Sequence, residues 1–249
     1  MKNDQKKCQA ELEENGLIPR KYYGQVFTTD SLVIKKFIQT VQDAYIPDSK
    51  VVEIGGGLGY LTEDLANSFD DVEVIEYDEE LFSILNKKFA QKPNIRLIKG
   101  DILECKISQK PYMLVGNIPF HLSGRLYRKF MSEEGHKPYA MIFITDKQYA
   151  TTLMGQPPRC YRVSLQAQVY GDIEIVADVP PASVYPEPKV MSCIMKITQN
   201  GTTLPKNFWK VVNYHWDHFP TPEVKSPKTV GLKGWVEICR KVKNQPRNI

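Results

Sequence analysis

Long apolar runs are missing from this sequence of 249 residues. No stretch approaches the roughly 20 apolar residues that a membrane-spanning helix needs, and the N-terminal residues are too polar for a signal peptide. The five cysteines are scattered without a Cys-x-x-Cys pair, so neither a zinc site nor a disulfide framework is indicated. We therefore expect no metal, no membrane partner and a reducing, cytoplasmic setting.

A strong excess of one charge is also absent. The formal net charge is +4, and contents of 42% hydrophobic and 25% charged residues are ordinary for a soluble globular protein. The mild basic excess is compatible with a polyanionic partner, although each basic cluster is also typical of a solvated surface. The length predicts one large domain, or one medium domain with a small appendage.

Short apolar segments that alternate with amphipathic ones are the main pattern of the chain. Five buried strands are predicted at residues 50–54, 72–76, 94–98, 112–115 and 140–145. Asp30 is a suitable N-cap for a helix at 32–44. Alternation of strands and helices with short connections is typical of a parallel sheet in an α/β fold, which binds ligands at the carboxyl ends of its strands.

The C-terminal part of the chain departs from this pattern. Two further strands are predicted at 173–176 and 191–197, and the prolines of segment 180–190 predict an irregular loop between them. After Thr198 the alternation stops, and several aromatic residues indicate a small, mostly helical appendage. The predicted domains are therefore residues 1–198 and 199–249.

An Asn-Ile-Pro-Phe turn follows the fourth predicted strand. The amide oxygen of Asn117 can accept a hydrogen bond from an exocyclic amine, and the Ile118 carbonyl adds another acceptor. Pro119 fixes the turn, and Phe120 offers an aromatic face on which a flat base could stack. This combination suits an enzyme that attaches a group to a planar amine, but it also fits an ordinary strand–turn–helix connection.

Three glycines and two carboxylates follow the first three strands. Gly55, Gly57 and Gly59 have the spacing GxGxG rather than the GxGxxG of dinucleotide-binding proteins, and no Lys follows as in a phosphate-binding loop. Glu76 could accept hydrogen bonds from both hydroxyls of a ribose, and Asp101 could accept one from an adenine amine. Each residue alone could be structural. Together, ribose and adenine without phosphate indicate S-adenosylmethionine as the cofactor.

These motifs resemble those of the ribosomal RNA adenine N6-methyltransferases, which include small-subunit adenine dimethylases and large-subunit macrolide-resistance methyltransferases. The similar segments, in order, are GQVFTTD (24–30), EIGGGLGYLT (53–62), VIEYD (74–78), GD (100–101) and NIPF (117–120). Segment 180–192, PPASVYPEPKVMS, resembles the proline-rich target-base loop of the family. The resemblance covers roughly residues 20–198. Its glycine-rich motif is shared by many methyltransferases, whereas GQ-x-F, NIPF and PEPKV are more specific.

The resemblance implies a Rossmann-like, class I methyltransferase fold. It also implies that the chain methylates the N6 amine of adenine in ribosomal RNA or in a pre-ribosomal subunit. We expect the chain to act as a monomer. It implies that the cofactor is bound by Gln25, Val26, Thr28, Gly55, Gly57, Glu76, Tyr77, Asp101, Ile102 and Asn117. It further implies that Asn117 and Phe120 are catalytic. The substrate would contact Ile118, Pro119, Phe120, Val184, Tyr185 and Lys189.

Some positions depart from the family pattern. Val26 stands where the family usually has Asn or His, and Val184 stands where Phe is usual. The appendage lacks an Arg-Arg-Lys run that is often found there. These departures favour an alternative, a methyltransferase of the same fold that acts on a small molecule. A non-catalytic RNA-binding relative is a third possibility, against which the intact Glu76, Asp101 and Asn117 argue.

Overall fold

The computed structural model describes residues 2–20, 24–107, 110–119, 122–131, 137–221 and 223–242. The chain forms two compact units. The first consists of Met1–Gln148 and Glu174–Ile197, and the second consists of Tyr149–Ile173 and Thr198–Ile249. No helix in the described part of the chain is long and apolar enough to cross a membrane.

The helices and strands of the described residues follow the predicted alternation closely. In chain order they are α1 Lys2–Glu14, β1 Phe27–Thr28, α2 Ser31–Ala44, β2 Lys50–Ile54, α3 Tyr60–Ser68, β3 Val72–Glu76, α4 Glu79–Phe89, β4 Ile95–Lys99, β5 Tyr112–Asn117, α5 Ser123–Met131, β6 Ala140–Asp146, α6 Lys147–Leu153, α7 Arg162–Tyr170, β7 Gly171–Val179, β8 Val184–Tyr185, β9 Ser192–Gln199, α8 Phe208–Asp217 and α9 Leu232–Val242. Short 3-10 helices cover Pro181–Ser183 and Pro227–Thr229.

Seven strands form one sheet in the order β4-β3-β2-β5-β6-β9-β7. The four neighbouring pairs from β4 to β6 are parallel, which confirms the predicted α/β class. The strand order reverses between β2 and β5, because the chain first builds outward through β3 and β4 and then returns to the other side of β2. Ligands of open α/β sheets bind at such a switch point, outside the carboxyl ends of the strands.

The backbones of β2 and β5 approach each other closely at the switch point. Glu53 pairs with Val115 in the sheet register. Gly116 has a φ of 147°, and a Cβ atom built there would lie 2.5 Å from the carbonyl oxygen of Ile54. Only glycine fits this position, since an L side chain is both strained and blocked there. The strand therefore continues through Gly116 to Asn117, two residues further than predicted, and places Asn117 beside the glycine loop.

Apolar side chains of the sheet and of α2 form the main core of the first unit. Asp30 caps α2 by accepting hydrogen bonds from the Leu32 and Val33 amides, as predicted. Buried residues of α2, among them Phe37 and Val41, pack with strand residues in one cluster. The helix that follows the GQVFTTD segment is thereby fixed against the sheet, and so is the position of that segment.

The proline-rich segment is more regular than predicted. Val184 and Tyr185 form β8, which pairs antiparallel with β1, so that Thr28 lies opposite Val184 and Phe27 lies opposite Tyr185. The prediction of a wholly irregular loop was wrong because a two-residue strand needs few backbone donors and fits between prolines. The Ser183 hydroxyl also donates to Asp30 at 2.9 Å, which attaches the segment to the start of α2.

The second unit has its own hydrophobic core. Phe208, Val212 and Trp235 of α8 and α9 pack with Cys160 and with Leu165 of α7. The sequence pattern predicts α7 as part of the first domain, because predicted strands and helices continue on both sides of it. In the structure, α7 packs with the C-terminal helices, so the second unit contains more than residues 199–249.

Candidate active site

A cavity of about 700 Å³ opens at the carboxyl ends of β2, β3 and β5. Its volume suits a nucleoside-sized cofactor. All ten residues of the predicted cofactor set line it: Gln25, Val26, Thr28, Gly55, Gly57, Glu76, Tyr77, Asp101, Ile102 and Asn117. Pro119 of the predicted substrate set lines it as well. The fold thus brings five separate segments of the sequence to one site.

Glu76 holds the glycine loop from the end of β3. One carboxylate oxygen accepts the Gly57 amide at 2.9 Å, and the other accepts the Asp78 amide at 2.8 Å. Gly57 has a φ of 58°, a conformation that glycine adopts at little cost. Each oxygen of Glu76 keeps lone-pair capacity for a further donor. The residue can therefore shape the loop and accept ribose hydroxyls at the same time.

Asp101 follows β4 with one oxygen engaged and one available. Its Oδ1 accepts the Leu103 amide at 2.8 Å, which fixes the side chain. Within the described residues Oδ2 has no hydrogen-bond partner, so it is free to accept from an amine. Ile102 beside it is buried and lines the cavity. A carboxylate next to an apolar wall is a suitable environment for an adenine ring with its exocyclic amine.

The amide of Asn117 has a defined orientation. Its Nδ2 donates to the Val26 carbonyl at 2.9 Å and to the Thr28 hydroxyl at 3.2 Å. Because a carbonyl oxygen can only accept, the atom that faces Val26 must be the nitrogen. Oδ1 has no hydrogen-bond partner among the residues that the structure describes. Asn117 therefore presents a fixed acceptor at the cavity, as a residue that receives an N–H of a target amine must do.

The segment that carries Val26 is itself held by Asp78, the N-cap of α4. Asp78 Oδ1 accepts the Glu80 and Leu81 amides, while its Oδ2 accepts from Arg20 at 2.9 Å and from the Gln25 amide group at 3.2 Å. The carboxylate is almost fully buried. One side chain thus connects the segment around Gln25 to the end of β3.

Four other residues of the predicted substrate set are not among those that line the cavity. Val184 is 2% exposed and packs in the core of the first unit, so its side chain is not available to a base, contrary to its assignment in the substrate set. Tyr185 is partly buried against a cluster around Phe27, and Lys189 is exposed; neither lines the cavity. The Ile118 side chain is fully buried in the protein. The predicted stacking residue Phe120 lies outside the described residues.

Comparison with known proteins identifies the family. A profile of the ribosomal RNA adenine dimethylases matches residues 18–219. The chain is 33% identical to "Ribosomal RNA small subunit methyltransferase A" of Dehalococcoides mccartyi over 78% of this chain and 67% of that protein. It is 32% identical to an "rRNA adenine N-6-methyltransferase" of Escherichia coli over 77% of this chain and 76% of that protein.

Solved structures show the same fold. The 23S rRNA methyltransferase ErmE superposes with a TM-score of 0.71 at 22% identity, over 87% of this chain and 99% of ErmE. A dimethyladenosine transferase from Plasmodium falciparum superposes with a TM-score of 0.63 at 21% identity, over 70% of this chain and 63% of that protein.

The chain belongs to the ribosomal RNA adenine dimethylase family. It is therefore a methyltransferase that uses S-adenosylmethionine, and the predicted Rossmann-like fold is confirmed.

The cavity of this chain has the charges that a positively charged cofactor needs. Glu53, fully buried at the end of β2, accepts the Thr62 hydroxyl at 2.6 Å through Oε2. Glu53 lines the cavity, and its buried Oε1 has no hydrogen-bond partner among the described residues. Burial raises the pKa of Glu76, against the opposing effect of the Gly57 and Asp78 amides. Buried carboxylates with unused acceptor capacity match a ligand that carries a sulfonium, an ammonium and ribose hydroxyls.

Sequence reasoning missed several residues of this dimethylase-type site. Glu53 and Asp78 were not assigned to the site from the sequence, although both lie in motifs that resemble the family and a carboxylate directly before the glycines is a usable signal. Lys129 lies beside Arg128 in a basic cluster of the sequence, a pattern that is typical of a solvated surface. Its ammonium instead donates to the carbonyls of Ile102 at 2.7 Å and Cys105 at 3.0 Å, and burial lowers its pKa.

Proposed function

We propose that this chain methylates the N6 amine of an adenine in ribosomal RNA, with Asn117 as the acceptor that orients the amine. The observation that carries the proposal is the locked amide of Asn117. Its nitrogen donates to Val26 and Thr28, and its oxygen has no hydrogen-bond partner among the described residues, while Asn117 itself lines the cofactor cavity. An acceptor in this position would take one N–H of the target amine and align its nitrogen with the cofactor.

In this mechanism the cofactor, when bound, supplies an electrophilic methyl group. Asn117 Oδ1 holds one amine hydrogen, which draws the nitrogen lone pair out of conjugation with the ring. Pro119 fixes the turn that follows, so that the acceptor is held before the base enters. Glu76 and Asp101 would hold the ribose and adenine of the cofactor. The target base must be unstacked or already single-stranded to enter the cavity.

Two of the sequence departures that favoured a small-molecule substrate, Val26 and Val184, carry less weight given their positions in the structure. Val26 contacts Asn117 through its backbone carbonyl, a contact that any residue at position 26 could make. Val184 is a core residue, and its side chain therefore carries no information about the target base. Arg125 lines the cavity and is exposed, which places a cation where a nucleic-acid phosphate could bind. These observations support RNA. The monomeric state stays a prediction.

Transfer of labelled methyl groups tests the proposal. The chain would be incubated with labelled S-adenosylmethionine in four separate reactions. Each reaction would contain one candidate substrate: small ribosomal subunits, large ribosomal subunits, isolated ribosomal RNA or a metabolite extract. We expect label in RNA from one of the ribosomal preparations and its recovery as N6-methylated adenine after nuclease digestion. Label that appears only in the metabolite extract would refute the RNA proposal and support the small-molecule alternative.

A further inference from the structure

Helix α1 lies outside residues 18–219 that match the family, yet it contacts the wall of the cofactor cavity. Cys8 and Leu12 are spaced four residues apart on one helix face and are buried, with 0% and 2% of their surface exposed. They cluster with Phe27 and Leu58, which both line the cavity. The helix therefore packs directly behind that wall.

Glu11 connects α1 to the wall through both of its carboxylate oxygens. Oε2 accepts the Tyr60 hydroxyl at 2.7 Å, and Oε1 forms an ion pair with Lys88. Only 18% of the Glu11 side chain is exposed, so solvent screens these contacts incompletely. Tyr60, the first residue of α3, lines the cavity. The carboxylate thus touches a residue of the wall directly.

Lys88 extends the connection to the glycine loop. Its ammonium donates to the Leu58 carbonyl at 2.7 Å and lies 5.9 Å from the centre of the Tyr60 ring. Leu58 stands between Gly57 and Gly59, whose φ angles of 58° and 88° belong to a loop with high intrinsic freedom. A hydrogen bond to the Leu58 carbonyl restricts that freedom. Glu11 keeps the ammonium in place.

A second attachment lies six residues earlier in α1. The Gln5 amide donates to the carbonyls of Ala182 at 3.0 Å and Val184 at 2.9 Å. Val184 pairs with Thr28, another residue of the cavity wall. The helix therefore links the glycine loop to the β1–β8 pair across the back of the site.

We propose that α1 is a strap of the cofactor site and that Glu11 is its positioning residue, acting through Tyr60 and Lys88. The proposal rests on the proposed function, since the cavity that Glu11 shapes is the one assigned to S-adenosylmethionine. A loop that is already held in its binding conformation loses less freedom when the ligand binds. Loss of Glu11 should therefore weaken cofactor binding while the chemistry, once the cofactor is bound, proceeds as before.

Calorimetric binding of S-adenosylhomocysteine to the full chain tests the strap. We expect Glu11→Ala, Tyr60→Phe and Lys88→Met each to raise the Kd about tenfold, which corresponds to roughly 1.4 kcal/mol. The double variant Glu11→Ala/Tyr60→Phe should bind about as weakly as the weaker single variant, because both changes break one contact. The matched controls are Glu13→Ala and Lys87→Met, at exposed neighbouring positions, and each should stay within about twofold of the unmodified chain.

Steady-state kinetics and thermal denaturation separate positioning from simple stabilisation. A positioning role predicts a higher KM for S-adenosylmethionine with a nearly unchanged kcat. The proposal would be overturned by a lower Tm together with an unchanged Kd, measured at a temperature well below the unfolding transition. It would also be overturned if Glu13→Ala lost as much cofactor affinity as Glu11→Ala. If Glu11→Ala does not fold, Tyr60→Phe carries the test, since it removes one oxygen atom. Failure of the unmodified chain to bind would refute the proposed function, whereas normal binding by all variants would refute the strap alone.

Discussion

Glu53 is the residue of the site whose titration should be easiest to measure. It is fully buried at the end of β2, where burial chiefly raises its pKa to about 7. The hydrogen bond from Thr62 opposes this effect, and the negative charge of nearby Glu76 adds to it. In the described residues its Oε1 has no hydrogen-bond partner. Ionisation of Glu53 therefore costs folding free energy near neutral pH.

The magnitude and sign follow from linkage between protonation and folding. A shift from the ordinary glutamate value of 4.5 to about 7 corresponds to roughly 3 kcal/mol. Because the raised pKa belongs to the folded state, the associated stability is fully present below pH 4.5 and is lost as the pH rises through about 7. Glu53→Gln has no such titration. Relative to the unmodified chain, it should gain about 2–3 kcal/mol of stability between mildly acidic pH and about pH 8.

Urea denaturation measures the difference in unfolding free energy between the cofactor-free chain and Glu53→Gln. It would be carried out at several pH values from mildly acidic pH to about pH 8. The control is Glu63→Gln, an exposed carboxylate of α3 close to Thr62 in sequence. The difference in unfolding free energy from the unmodified chain should grow more steeply with pH for Glu53→Gln than for Glu63→Gln, because only Glu53 is fully buried. A Glu53→Gln difference that does not change with pH would show that Glu53 does not titrate in this interval and would refute the reasoning.

Three further predictions concern the reaction. Asn117→Ala should lower kcat about 100-fold or more while cofactor affinity falls far less, because it removes a preorganised polar contact; a normal kcat in single-turnover assays would contradict the assigned role. Glu76→Gln should weaken S-adenosylmethionine binding by about 1.5–3 kcal/mol, since it replaces a charged acceptor; an unchanged calorimetric Kd would remove Glu76 from the ribose role. The double variant Arg125→Gln/Arg128→Gln should bind RNA with a weaker salt dependence, because the slope of log K against log salt concentration should fall in magnitude by about one to two. A KM that does not depend on salt would favour a small-molecule substrate.

Local signals made the strands and caps of the first unit predictable. The bounds of β2 and β3 agree with the sequence prediction at both ends, since each is a short segment rich in Val and Ile that lies between turn residues. The N-cap at Asp30 was predictable because a cap is a contact between residues two or three positions apart. The position of the cavity followed from the same information, because strand ends of a parallel sheet meet at one edge.

Contacts between distant segments explain what the sequence did not reveal. The bond from Asn117 to the Val26 carbonyl joins residues 91 positions apart, and it involves a backbone atom that every residue type has. The residue at position 26 therefore gives no sign of the contact. Likewise, Lys129 is of a residue type that is usually found at the surface, and only the fold shows that its ammonium donates to the carbonyl of Ile102. The assignment of α7 failed for the same reason, since apolar helix faces do not identify their partners.

The charges of the cavity show why an unfavourable residue such as Glu53 would be retained. Four carboxylates line its wall, those of Glu53, Glu76, Asp78 and Asp101, whereas Arg125 lies at its exposed side. A cofactor with a net positive charge gains from the buried carboxylates, and a polyanionic substrate gains from the exposed guanidinium. The free energy that ionised Glu53 costs in the empty chain would be recovered in part when a cation binds beside it. Glu53→Gln should therefore stabilise the chain and weaken its affinity for S-adenosylmethionine together, the exchange of stability for function expected of an active-site residue. Calorimetry on the same variant measures the second effect, and a variant that is more stable and binds equally well would show that this carboxylate serves only the fold.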